Sequence, residues 1–188
     1  MEHNEAIANI RESTQVAELA VPWRPPQATW YKVNVDGAIF PAQKAVGINV
    51  LIRDDKGRVE TTLCKKIMAP MGALEAKVKA FEAGLLLAKD TSVKDLVVEG
   101  DFVMVLNALS GKSTPPSSVE AVVLGMQEMA KDFRQIVFSH VRRHGNKPAH
   151  LLAKHASGIS NYLVWSKEYP CIIEQALTHD VISISHMQ

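Results

Sequence analysis

Three acidic side chains stand where structural elements are expected to end or begin. Asp36 precedes a glycine in "YKVNVDGAIF", Asp101 closes "DLVVEGD", and Glu75 lies in "LEAKVKAF". Carboxylates gathered from distant positions bind Mg²⁺, a hard cation that prefers oxygen and keeps several waters. A pair of such ions roughly 4 Å apart activates a water and stabilises the leaving oxygen of a phosphodiester. The cation makes the cluster tenable, because close like charges otherwise repel and raise one another's pKa. Each acid also has a plainer role open to it. Asp36 in "DG" suits a turn, Asp101 suits a helix N-cap, and Glu75 suits the dipole of a first helical turn. A histidine, His150, sits in "NKPAHLLAKH", which opens as a helix.

The elements that must position these groups follow from periodicity. Tyr31, Val33 and Val35 alternate with Lys32, Asn34 and Asp36, which predicts a strand ending at Asp36-Gly37. "VGINVLIRDDKGRVETTLCKKI" is two apolar-rich runs around the turn "DDKG", a hairpin signal. Leu74, Val78, Phe81, Leu85 and Ala88 follow helical spacing over 72–90. On that wheel Glu75 falls about 100° from Leu74, at the border of the apolar stripe. A short buried strand is predicted over 95–101, a helix over 102–110, a loop at "GKSTPPSS" and a second amphipathic helix over 118–132. "RQIVFSHV" reads as a strand, and 147–157 as a helix capped by Asn146 with Pro148 in its first turn. The order βββ-α-β-α-α-β-α predicts an α/β protein whose mixed sheet starts as a meander and continues through helical crossovers. If strands one and four are neighbours, Asp36 and Asp101 emerge close together.

Composition limits the function classes. The 188-residue chain is 47% hydrophobic, which supports an ordinary core and argues against intrinsic disorder. Lys plus Arg number 21 against 20 Asp plus Glu, so any polyanion site must come from local clustering. Such clusters occur at Lys65-Lys66 and across Arg142, Arg143, His144 and Lys147. Cys64 and Cys171 form neither a disulfide framework nor a metal knuckle. No signal peptide is legible, and no apolar run approaches the ~20 residues of a membrane span. The expected protein is soluble and intracellular, with no membrane partner. Its core domain is expected over 29–165, after a leader at 1–28 that begins with a short helix within 1–20 and before an extension at 166–188.

Five ordered segments carry a resemblance. "YKVNVDGAIF" with "VGINVLIRDDKGRV", then "LEAKVKAFEAGLLLAKD", "LVVEGDFVMVLNAL" and "FSHVRRHGNKPAHLLAKHAS" resemble the ribonuclease H family. They look most like its plant, retroelement-derived, reverse-transcriptase-like branch, and "WRPPQATWYK" looks like the lead-in typical of that branch. The resemblance implies a ribonuclease H-like fold with a five-stranded mixed sheet flanked by helices. It further implies a Mg²⁺-dependent endonuclease, with Mn²⁺ an alternative ion, that cuts the RNA strand of RNA–DNA hybrids and leaves a 3′-hydroxyl and a 5′-phosphate. The family's acids fall on Asp36 in "VDGA", Glu75 in "LEAK" and Asp101 in "EGD", which makes these three the expected metal ligands. The fourth acid of an "AD-x-LA" helix start is replaced in "AHLLA" by His150.

That departure has chemical content. Neutral imidazole supplies one lone pair and no negative charge, and suits Mn²⁺ or Zn²⁺ better than Mg²⁺; protonated, it repels a metal. Three readings stand: weakened metal-dependent cleavage with His150 in the catalytic set, a non-catalytic nucleic-acid-binding module, or His150 as a solvated helix residue. Arg142, Arg143 and Lys147 could contact the phosphates of a hybrid or duplex, giving salt-sensitive affinity, or form a solvated basic face. His144, beside Gly145, is the better of two candidates, with His140, for a mobile loop histidine such as relatives use. Phe102 and Val103 stand where relatives often carry polar residues, and Phe102 is assigned to packing, as are Trp30 and Trp165.

Overall fold

The computed structural model describes residues 22–185; the helix expected within 1–20 lies outside them. Three strands, β1 (Tyr31–Phe40), β2 (Ala45–Arg53) and β3 (Val59–Ile67), form the antiparallel meander. The β2–β3 turn is closed by Asp54, whose carboxylate accepts from the amides of Lys56 and Arg58, with Gly57 in the left-handed region at φ 79°. Helix α1 (Ala73–Asp90) then crosses to β4 (Asp95–Gly100), which pairs parallel with β1. Helices α2 (Val103–Leu109) and α3 (Glu120–Ala130) lead to β5 (Gln135–His140), parallel to β4. Helix α4 (Lys147–His155), strand β6 (Tyr162–Ser166) and helix α5 (Glu174–Ser185) complete the order.

The sheet runs β5-β4-β1-β2-β3-β6. The expected α/β mixed sheet is present, with a correction: it has six strands rather than five, because β6 adds antiparallel to β3. The short run "YLVWS" carries no alternating pattern, since Tyr162, Leu163 and Val164 are all exposed and neither face is driven inward.

One face of the sheet is the main core. The α1 residues Val78, Phe81, Leu85 and Ala88 pack with Val33 and Val35 of β1, Ile48 and Val50 of β2, and Leu96 and Val98 of β4. Phe102 is packed at the margin of this cluster, as its assignment to packing requires. At the N-terminal end of α1 the approach is closer still. A Cβ built on Gly37 would lie 2.6 Å from the Ala76 carbonyl oxygen. Glycine at this strand position therefore lets the first turn of α1 rest on the β1 backbone.

The other face is covered by α4, α5 and Trp23. Leu51, Leu152, Ile173 and Leu177 form a small apolar cluster, beside which runs a buried polar network. The Arg53 guanidinium, with no exposed side-chain surface, stacks 3.7 Å from the centre of the Trp23 ring. It donates to Asp180 Oδ2 at 2.8 Å and to Asn34 Oδ1 at 3.1 Å. Trp23 Nε1 donates to the same Asn34 oxygen, and Lys32 Nζ pairs with Glu99 at 2.6 Å. Trp23, which the sequence reading places in a leader outside the core, is thus buried. Burial pushes the Arg53 pKa down and the Asp180 pKa up, in each case against the attraction of the partner. Desolvation opposes both charges, and removing one partner of such a buried pair leaves the other poorly compensated.

This predicts that Asp180→Ala destabilises the chain by about 3–5 kcal/mol, since it removes the carboxylate hydrogen-bonded to the buried Arg53 charge. Replacing both ions by Met and Leu should recover most of the loss. Denaturant midpoints measure both; a single-variant loss under about 1 kcal/mol would show that this pair does not hold α5 to the sheet.

Candidate functional site

The parallel register of β1 with β4 ends at Asn34↔Glu99, and just beyond it each strand presents a carboxylate. Asp36 is buried within β1, which does not end at Asp36-Gly37 as expected but stays paired with β2 up to Phe40, and Asp101 follows the last residue of β4. The two are bridged by a group that sequence reasoning passed over, the ammonium of Lys77 in the second turn of α1. Lys77 Nζ donates to Asp36 Oδ1 and, at 2.6 Å, to Asp101 Oδ1. Its side chain is only 16% exposed, so both ion pairs are shielded from solvent. Burial disfavours this ammonium, but the attraction of Asp36 and hydrogen bonds to both aspartates outweigh it and raise its pKa.

The rest of Asp36 is also engaged. Its Oδ1 accepts from the Gly37 amide at 2.8 Å, and its Oδ2 lies 2.9 Å from His150 Nδ1. His150 is a half-buried residue of α4 aimed at Asp36, which argues against the reading of a merely solvated helix residue. Two asparagines hold α4 in this place. Asn146 Nδ2 donates to the Val35 carbonyl at 2.9 Å, and Asn49 Nδ2 donates to the Ala149 carbonyl. Asn146 stands at the N-cap position as expected, but its side chain makes no cap hydrogen bond; it is committed to β1 instead.

Of the four expected catalytic positions, Asp36 meets His150 directly and is joined to Asp101 through Lys77, whereas Glu75 is tied to none of them. Glu75 lies in the first turn of α1, with its Oε2 directed toward Gly72, 2.6 Å from where a Cβ there would stand. Among the described residues it makes no hydrogen bond or ion pair with the other three. Arg142, Arg143, His144 and Lys147 lie on and around the 3-10 turn Arg143–Asn146, on the surface immediately before the helix turn that carries His150.

This donor set does not fit a divalent ion as it stands. Mg²⁺ requires near-octahedral oxygen ligation at about 2.0–2.1 Å. Here Asp36 Oδ1 accepts from the Gly37 amide and Lys77, its Oδ2 contacts the His150 ring, an ammonium stands between the two aspartates, and the Glu75 carboxylate lies beside Gly72. Among the described residues no three His, Cys, Asp or Glu side chains are grouped to hold a metal. A signal for Lys77 exists in the sequence. On the helical wheel it falls about 60° from Leu74, nearer the apolar stripe than Glu75 at about 100°. A lysine at that margin reaches either water or a buried anion, and here Asp36 and Asp101 supply two.

Comparison with known proteins bears on the fold and the family. A family model described as reverse transcriptase-like matches residues 34–156, more than half of the chain. No curated protein matches at a significant level. RNase H1 from the halophilic archaeon Halobacterium salinarum NRC-1 is similar with a TM-score of 0.64 at 21% identity, over 69% of this chain and 98% of that one. The N-terminal RNase H domain of Rv2228c from Mycobacterium tuberculosis gives 0.63 at 22% identity, over 69% and 94%. LC11-RNase H1 in complex with an RNA/DNA hybrid gives 0.61 at 17% identity, over 66% and 94%. At these identities the structures establish the ribonuclease H fold. No described helix is long and apolar enough to cross a membrane.

The close approach of α1 to β1 is testable by two opposite glycine changes. Gly37→Ala forces a methyl against a backbone carbonyl and should cost about 1–3 kcal/mol while pushing Lys77 off Asp36. Gly125→Ala, in α3 with no atom within 4 Å of the new Cβ, should gain about 0.5–1 kcal/mol. Thermal denaturation of the two variants measures both; equal effects would refute the cradle at Gly37.

Proposed function

The chain belongs to the reverse transcriptase-like family, which has the ribonuclease H fold, and on that premise we propose that it binds RNA–DNA hybrid or duplex nucleic acid and holds rather than cuts it. The observation that carries this reading is the Lys77 ammonium bridging Asp36 and Asp101. One ammonium cancels only one of the two aspartate charges, but it stands in the space between them, so the pair draws a divalent ion less strongly. The binding surface is the basic segment Arg142, Arg143, His144 and Lys147, set next to the aspartate corner by Asn146 and His150. Such a surface contacts phosphates, so its affinity is largely independent of sequence and falls with salt. His150 in this reading fixes Asp36 rather than a metal, as its Nδ1 contact indicates.

A second reading is favoured by one specific observation. Asp36 within β1 meets His150 of α4 directly and Asp101, just after β4, through Lys77, an arrangement that supports a hybrid-specific endonuclease dependent on Mg²⁺ or Mn²⁺. That activity, weakened by His150 and by the absence of Glu75 from the cluster, requires Lys77 to leave both aspartates.

Incubating a labelled hybrid with Mg²⁺ and with Mn²⁺, alongside a gel shift across a salt series, separates the readings. The expected result is a shifted, uncut hybrid whose affinity falls steeply with salt. Neutralising Arg142, Arg143 and Lys147 together should lower the salt slope by about one for each phosphate left without its cation. Cleavage abolished by Asp36→Asn would establish the hydrolase instead, and no binding at low salt would refute both.

A further inference from the structure

We propose that Lys77 is the resident cation of this site: its ammonium takes the place between Asp36 and Asp101 that a divalent ion would need, and closes the site to metal. This deepens the reading of the site as one that holds rather than cuts, and rests on it.

Three features of the structure build this arrangement. The ammonium makes ion pairs with both aspartates at once, with little of the side chain exposed. The backbone is shaped to deliver it, since the absence of a Cβ at Gly37 lets the Ala76 carbonyl, one residue before Lys77, rest on β1. The remaining Asp36 oxygen is occupied by the His150 ring, so Asp36 has donors on both sides. Energetics favour the tethered cation over a free one. Lys77 is part of the folded chain and pays no association entropy, whereas an incoming ion must displace it and shed water. An ammonium also neutralises without a coordination geometry, so it tolerates the two-sided aspartate arrangement that octahedral Mg²⁺ does not. Glu75, freed from any part in such a centre, lies against the start of its own helix, where a carboxylate is favourable.

Mn²⁺ binding by the full chain, read from loss of the free-ion electron paramagnetic resonance signal and without nucleic acid, tests this apart from the binding proposal. Wild-type chain should take up no ion at this site. Lys77→Gln, which keeps a polar side chain and removes the charge, should bind one Mn²⁺, with affinity raised about 10- to 100-fold, the scale on which neighbouring groups tune metal sites. Adding Asp101→Asn to that variant should abolish the gain. Stoichiometric uptake by wild-type chain that Asp36→Asn removes, or no gain in Lys77→Gln, would overturn the proposal, as would a gain that survives Asp101→Asn. If Lys77→Gln does not fold, the carboxyl carbon resonances of Asp36 and Asp101 in wild-type chain decide it. They should stay sharp in excess Mn²⁺, and selective broadening of both would overturn it.

Discussion

Two carboxylates on neighbouring parallel strands cannot both stay ionised in a sheltered corner without a positive charge beside them. In this chain the charge is covalent. Lys77 reaches Asp36 and Asp101 because α1 starts on the β1 backbone at Gly37, and α1 can start there because its apolar stripe docks on Val33 and Val35 of the same strand. The main core, the glycine and the ion pairs form one mechanical unit. A change in any of them moves the ammonium relative to its aspartates.

The opposite face solves a second charge problem in a different way. Arg53, Lys32, Asn34, Glu99 and Asp180 bury several polar groups between the sheet and its cover, and the Trp23 ring closes over the guanidinium. The network joins segments before and after the family's matched span to the sheet, since Trp23 precedes residue 34 and Asp180 follows residue 156. Cys64, buried beneath α4 with its thiol donating to the Leu152 carbonyl, has its pKa pushed up to about 11 by burial and stays protonated at neutral pH. It behaves as a core residue, in line with cysteines that form neither a bridge nor a metal knuckle.

Much of this was legible from the residues alone. The alternation in 31–36, the "DDKG" turn and the helical spacing of Leu74 through Ala88 are local signals, so meander and α1 could be read directly, whereas the burial of the polar row Lys32, Asn34 and Asp36 could not. Asp36 and Asp101 were legible as a pair once β1 and β4 were neighbours, although Asp36 lies within a strand that runs on to Phe40 and only Asp101 stands at a strand end. What escaped depends on partners distant in sequence. Glu75 and Lys77 flank the same apolar stripe, and only the α1–β1 approach at Gly37 decides which of them meets the aspartates. Asn146 has the residue type of a cap, yet a carbonyl 111 positions away claims its amide. Strand β6 carries no inward-facing period, and Trp23 sits among prolines that hide its burial.

The space between Asp36 and Asp101 belongs, on this account, to a side chain of the protein itself. A crystal structure of wild-type chain grown in excess Mn²⁺, with anomalous data collected to locate the ion, tests it most directly. The expected result is Lys77 Nζ between the two carboxylates and no anomalous peak there. A manganese peak bridging Asp36 and Asp101, with Lys77 turned out to solvent, would contradict it.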